Sequence, residues 1–278
     1  MNKSHPPHLF EEEKIWQKEL RTYDCVLFFT DYDGTLADFH SDPAQAYPLS
    51  GIPDLLAELK KCLPQSPTII TGRRPEEIRE LMPEPTLPTA GLHGLLYLPE
   101  DEDRAHPLLD KLPQIPAELE EILAESAVIS ENLRIEDKGR LKALHFDQED
   151  MELKAEIGKK LEDALQDKEW EVISGRRVLE IRPENWHKGR AVKTLRRNYA
   201  ERLDRNPGEC IALYLGDDRT DEDVFRNLSS PGLTICVENE KSRKTAADYS
   251  LISPSEVKRF LQVFSEIINC QGLNSQSL

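Results

Sequence analysis

Val26-Leu27-Phe28-Phe29-Thr30-Asp31-Tyr32-Asp33-Gly34-Thr35-Leu36 is the stretch whose reading decides the fold. An apolar run stops abruptly at two carboxylates spaced i and i+2, followed by a glycine and a threonine. A short run of this kind reads as a buried strand. Ligands of open α/β sheets bind at the carboxyl ends of such strands. Two aspartates there, with Gly34 allowing a sharp turn, make a small negative pocket suited to a hard cation with oxygen ligands. One carboxylate can attack a phosphorus atom while the other carries a proton.

Working outward, a polar-faced helix is expected over residues 10–22, ahead of that strand. A helix over 52–62 and a strand over 68–70 follow, the strand ending in Thr71-Gly72-Arg73-Arg74. Pro75 opens another helix, with Glu76 and Glu77 in its first turn. One short strand is expected within 89–98, beside the turn-like Gly91-Leu92-His93-Gly94. Residues 99–117 change character, with Pro99, Pro107, Pro113 and Pro116 and the acidic run 100–103, which is a linker signal. Beyond it lie a helix near 117–127, a strand-like stretch 134–147, a charged helix 148–167 and a strand-pair region 170–181. The earlier style resumes near 185, with a helix over 191–200, a strand 211–215 ending in Gly216-Asp217-Asp218, strands at 233–237 and 249–252, and a last helix from 255 to 268. Strands alternating with helices imply a parallel sheet, and the middle segment reads as an inserted α+β module.

The chain has 278 residues and a formal net charge of -16. A surface so acidic argues against nucleic-acid or anionic-membrane partners, and no run approaches the roughly 20 apolar residues of a membrane span. The five cysteines are scattered and include no CxxC pair, so they read as reduced thiols of a cytoplasmic protein rather than as zinc ligands or disulfides. Residues 1–21 have no leader-like apolar core.

Three strands therefore end in polar clusters: Asp31/Asp33, Thr71-Gly72-Arg73 and Asp217/Asp218/Asp221. On one sheet edge the carboxylates repel unless a divalent cation balances them; magnesium is the natural choice, because it keeps several waters and completes its shell with phosphate. Phosphoryl transfer needs mainly positioning and charge neutralisation. Asp31 is the expected nucleophile and Asp33 the proton carrier. Thr71 can donate a hydrogen bond to phosphate, and Lys188 of Trp186-His187-Lys188-Gly189-Arg190 can supply positive charge. Each group also has a plain structural reading, as a solvated turn, a helix cap or a surface lysine.

Asp31-Tyr32-Asp33-Gly34-Thr35-Leu36, Thr71-Gly72-Arg73, Lys188-Gly189 and Gly216-Asp217-Asp218 resemble, in order, the four motifs of the haloacid dehalogenase superfamily of phosphohydrolases. The run 216–225, GDDRTDEDVF, together with 175–183, GRRVLEIRP, and His93-Gly94, is similar to the trehalose-6-phosphate phosphatase family. The resemblance spans roughly residues 25–265. It implies a Rossmann-like α/β core with a parallel sheet (residues 1–104 and 185–278) carrying an inserted α/β cap domain (105–184). It implies Mg2+ held by the Asp31 side chain, the Asp33 main-chain carbonyl and Asp217, with Asp218 and Asp221 behind them. It also implies substrate-binding roles for Gly72, Arg73 and His93 of the core and for Glu136, Lys138, His145, Arg176 and Glu180 of the cap. Three positions depart from the family pattern: Leu92 and Asp147 where an acidic residue and an arginine are usual, and Arg176 in place of lysine. All three fall on the sugar side.

The expected activity is Mg2+-dependent hydrolysis of trehalose 6-phosphate through an aspartyl-phosphate, by a cytoplasmic monomer working beside a separate synthase chain. Alternatives at this point are a phosphatase of another glycosyl phosphate (sucrose phosphate, glucosyl- or mannosylglycerate phosphate), a non-catalytic sugar-phosphate sensor, and a phosphomutase.

Overall fold

A computed structural model describes residues 5–108, 116–129, 133–137, 141–147, 150–166, 168–175, 177–184, 186–238 and 244–275. The chain divides into two compact units, one of Met1–Leu108 with His187–Leu278 and the other of Leu109–Trp186.

The larger unit is built on β1 (Val26–Thr30), all five of whose residues are buried. A strand covered on both faces has no reason to alternate polar and apolar side chains. Val26 and Phe28 face one layer, and Leu27 and Phe29 the other. Each of these phenylalanines contributes about 2 kcal/mol by leaving water. Parallel partners flank β1: β10 (Ile211–Gly216), with Phe29 opposite Tyr214, and β2 (Thr68–Ile70). With β3 (Thr89–Gly91), β4 (Leu96–Leu98), β5 (His106–Pro107), β11 (Gly232–Val237) and β12 (Tyr249–Leu251) they form an eight-stranded sheet of order β12-β11-β10-β1-β2-β3-β4-β5. Only the β3–β4 and β4–β5 pairings are antiparallel.

Helices cover both faces. On one side lie α1 (Glu13–Leu20), α2 (Ile52–Cys62), α3 (Pro75–Leu81) and α8 (Pro254–Ser275). In α2, Ile52, Leu56 and Leu59 recur at helical spacing and are fully buried. On the other side lie α6 (Lys188–Arg202) and α7 (Glu222–Asn227), which bury Val192, Leu195, Tyr199 and Phe225.

The smaller unit is a four-stranded antiparallel sheet of order β6-β7-β9-β8, from β6 (Arg134–Asp137), β7 (Lys142–His145), β8 (Trp170–Ser174) and β9 (Val178–Pro183). Helices α4 (Ala117–Ile129) and α5 (Met151–Leu165) supply Leu119, Ile157 and Leu161 to a core shared with Leu144, Leu179 and Ile181.

Two expectations are corrected. Cys25 and Cys210 are not free thiols. They immediately precede the adjacent strands β1 and β10, which brings their Cα atoms to 4.6 Å, and they are joined as a disulfide. Pairing at 185 residues' separation is invisible to a spacing rule. The stretch 89–98 is two strands rather than one, parted by a 3-10 turn at Leu92–Gly94 in which Leu92 and His93 take φ of 51° and 57°. Left-handed backbone costs a non-glycine residue roughly 1–2 kcal/mol. Main-chain bonds from Leu92 N to Arg73 O and from His93 N to Thr71 O hold it there, each at 2.9 Å. Among the described residues no helix is long and apolar enough to cross a membrane.

Candidate active site

The site lies where β10, β1 and β2 end side by side. Asp31 follows β1, Asp217 follows β10 and Thr71 follows β2, so the parallel register alone puts all three at one edge. The main-chain N–H of Asp31 donates to Leu215 O at 2.8 Å, locking the first strand end to the second. Gly34, with φ of 70°, then turns the chain, and Gly34 N–H donates to Ala37 O.

Lys188 opens α6. His187 caps that helix, its Nδ1 accepting from Arg190 N–H at 3.3 Å, and so Lys188 stands in the first turn. Its buried ammonium donates to Asp31 Oδ1 and to Asp221 Oδ1, each at 2.8 Å. Asp221 is the hub of the site. It is fully buried and also accepts from Tyr214 OH at 2.5 Å, Asp217 N–H at 3.0 Å and Asp218 N–H at 2.9 Å. These are four donors on two oxygens, an anion held by main-chain amides at the start of α7. Gly216 is required for this, because a Cβ there would stand 2.3 Å from Asp221 Cγ. Asp218 is exposed, and its carboxylate turns back to Arg219 N–H.

Burial pushes the Asp31 carboxyl well up, against the pull of Lys188, and Asp221 and Asp217 add to it. Burial opposes the Lys188 ammonium, yet Asp221 and Asp31 outweigh it and drive its pKa up. Burial, with Asp221 beside it, also keeps the Tyr214 phenol protonated. One ammonium thus stands against three carboxylates, Asp31, Asp217 and Asp221, that offer oxygens within 4.8 Å of one another. That is an all-oxygen, under-neutralised donor set, and a hard divalent cation fits it. Each Asp221 oxygen already accepts from two donors, so Asp31 and Asp217 are the side chains that would hold such an ion.

Thr71 is buried, and its Oγ1 accepts from Arg73 N–H at 3.1 Å, which leaves the hydroxyl proton to donate. Arg73 reaches back to Asp33, Nε and Nη2 donating to its two carboxylate oxygens at 2.7 Å. The His93 ring packs over Gly72: a Cβ there would meet its Cε1 at 2.9 Å. Leu92 is buried in the core.

Of the residues expected on the cap, Lys138 and Arg176 lie outside the described residues. Glu136, His145 and Glu180 share one face of the smaller sheet. Ala143 stands between Glu136 and Glu180 in register, and the alternate residues Leu144, Leu179 and Ile181 face the helices. His145 Nε2 lies 3.0 Å from Glu136 Oε2, and Asp147 is exposed. Tyr214 went unnoticed in the sequence. Its only signal there was a phenol inside an otherwise aliphatic strand, two residues before the Gly216-Asp217-Asp218 motif.

Comparison with known proteins agrees with this geometry. The family model described as trehalose-phosphatase matches residues 29–255. A probable trehalose-phosphate phosphatase 4 of Oryza sativa subsp. japonica is 30% identical over 93% of this chain and 70% of its own length. A probable trehalose-phosphate phosphatase D of Arabidopsis thaliana is 31% identical over 93% and 71%. Among solved structures, Aspergillus fumigatus trehalose-6-phosphate phosphatase superposes with a TM-score of 0.68 at 26% identity, covering 94% of this chain and 99% of that one. The C-terminal domain of C. albicans trehalose-6-phosphate phosphatase shares the fold with a TM-score of 0.76 at 24% identity, over 95% and 99%. With the family model spanning most of the chain and the strand-end carboxylates gathered around Lys188, this chain belongs to the trehalose-phosphatase family of phosphatases.

Proposed function

We propose that this chain hydrolyses trehalose 6-phosphate to trehalose and phosphate with a divalent cation, Mg2+ by donor chemistry. The observation that carries the reading is the buried Asp31–Lys188–Asp221 cluster at the strand ends of a family member. Asp31 attacks phosphorus through a carboxylate oxygen, and the bond from phosphorus to the sugar oxygen breaks. Asp33 protonates that oxygen as it leaves, then takes a proton from the water that attacks phosphorus and frees Asp31. Lys188 and the Thr71 hydroxyl hold phosphoryl oxygens or the groups beside them. Asp31, Asp217 and the Asp33 carbonyl would hold the cation, which would supply the charge neutralisation that phosphoryl transfer requires.

Substrate-binding roles are proposed for Glu136, Lys138, His145, Arg176 and Glu180 of the cap unit and for Gly72 and His93 of the core. A second reading, hydrolysis of a different glycosyl phosphate, draws support from the exposed carboxylate of Asp147 and the buried apolar Leu92 where charged groups are usual. Phosphate release from a panel of sugar phosphates, with and without Mg2+, decides between them. The first reading expects trehalose 6-phosphate to lead; a preference of about tenfold in kcat/KM for another compound sinks it.

A further inference from the structure

Arg73 is the residue of the phosphate-side loop whose surroundings fit its expected role least well. Every nitrogen of its guanidinium is already engaged. Nε and Nη2 form a fork on the two oxygens of Asp33, each at 2.7 Å, and Nη1 donates to Pro43 O at 2.7 Å. The cation also lies 5.7 Å from the centre of the Tyr32 ring, between the two motif aspartates. Its side chain is 13% exposed and that of Asp33 31%. A bidentate fork is the arginine geometry that fixes a carboxylate's plane as well as neutralising it. The anchors at Pro43 and Tyr32 stop the fork from swinging. An arginine free to grip a substrate phosphate would have to give up two charge-assisted bonds first.

We propose that Arg73 is a positioning residue for the Asp33 proton carrier rather than a phosphate ligand: it sets the plane of the Asp33 carboxylate at the point where a leaving oxygen is protonated. This rests on the phosphatase reading, in which Asp33 handles the proton. The chain after Asp33 is tied in as well. Tyr32 OH donates to Ala46 O at 2.9 Å, so the turn that anchors Arg73 is pinned to the same motif at a second point.

Leaving-group dependence tests it. A sugar alkoxide needs its proton; the p-nitrophenolate of p-nitrophenyl phosphate does not. kcat/KM is measured on trehalose 6-phosphate and on p-nitrophenyl phosphate for the parent, Arg73→Ala, Arg73→Lys, Asp33→Asn and Arg73→Ala/Asp33→Asn, each in the full chain with saturating Mg2+. General acid–base catalysis contributes about 10²–10⁴-fold, so Arg73→Ala should lose at least about 30-fold more on the sugar phosphate than on the aryl phosphate. In the Asp33→Asn background Arg73→Ala should change neither rate by more than about twofold, the scatter of such cycles. Arg73→Lys keeps the charge but not the fork and should resemble Arg73→Ala; parental behaviour would overturn the claim that geometry is what matters. Equal losses on both substrates, or losses that multiply with Asp33→Asn, show Arg73 on the phosphoryl group and overturn the proposal. Sugar-phosphate turnover untouched in Asp33→Asn alone defeats the proton-carrier reading itself and the proposal with it, a result separate from the other two.

Discussion

Asp221→Asn is the sharpest perturbation of the site. The change is isosteric, so no cavity forms and any effect is electrostatic. Four donors converge on Asp221: Lys188, Tyr214 and the amides of Asp217 and Asp218. If the amide oxygen keeps the two main-chain donors, the amide NH2 must face the Lys188 ammonium and the Tyr214 hydroxyl, donor against donor. A lost bond to a charged partner is worth about 1.5–3 kcal/mol, and a buried ion pair broken from one side costs about 3–5 kcal/mol. Tyr214 can rotate its hydroxyl away, and Lys188 keeps Asp31, so the loss should sit near 3–4 kcal/mol. At about 2–4 °C per kcal/mol for a chain of this size, that lowers Tm by roughly 10 °C. Scanning calorimetry and urea unfolding read it, with phosphate release followed in parallel. Tyr214→Phe removes one neutral donor from the same carboxylate and should cost only about 1 kcal/mol. An Asp221→Asn protein within about 1 kcal/mol of the parent, or a Tyr214→Phe loss as large as that of Asp221→Asn, would refute the claim that a charge at this hub holds the strand ends together.

Asp31→Asn should lower turnover by a factor on the order of 10⁴ or more, as expected when a nucleophile is removed; activity within about tenfold of the parent removes Asp31 from that role. Saturating Mg2+ at about 100 times its Kd should add close to 2.7 kcal/mol of stability over chelated protein. In the metal-free protein the raised Asp31 carboxyl destabilises the fold while ionised and is relieved as pH falls through its folded-state pKa. The ion needs the carboxylate, so its Tm increment should grow with pH; on acidification it should begin to shrink while the pH is still above the usual Asp value of about 3.9. An increment independent of pH contradicts a site at Asp31. Glu136→Gln should raise KM for trehalose 6-phosphate about tenfold, the worth of one charge-assisted bond, while sparing p-nitrophenyl phosphate; equal effects on both would place Glu136 outside sugar recognition.

Much of the architecture was legible because its signals are local. Val26–Phe29 is apolar without alternation, as a strand covered on both faces must be, and the bounds of β1, α2 and β2 follow from such runs and their caps. The polar clusters after β1, β2 and β10 mark the site because parallel strands share one carboxyl edge. Other features depend on partners outside the local stretch. The strand over 89–98 breaks where main-chain bonds from the Thr71–Arg73 loop hold Leu92 and His93 left-handed. The cytoplasmic expectation leaned on free thiols, and the bond between Cys25 and Cys210 takes that support away.

What the sequence determined by itself was where polar residues follow short apolar runs. Asp31 and Asp33 after β1, Thr71 after β2 and Asp217 after β10 are legible from ten or so neighbouring residues, and parallel pairing brings those strand ends to one edge; Lys188 stood out only through the ordered motifs. Only the tertiary structure decided which partner each charge keeps. Lys188 finds Asp221 across 33 residues and Arg73 finds Asp33 across 40. Those choices depend on which strands lie side by side and on how far a buried side chain can reach for an opposite charge. The stretch 26–36 therefore fixes where the first pair of strand-end carboxylates stands, while the packing around it decides which groups hold its two aspartates in place.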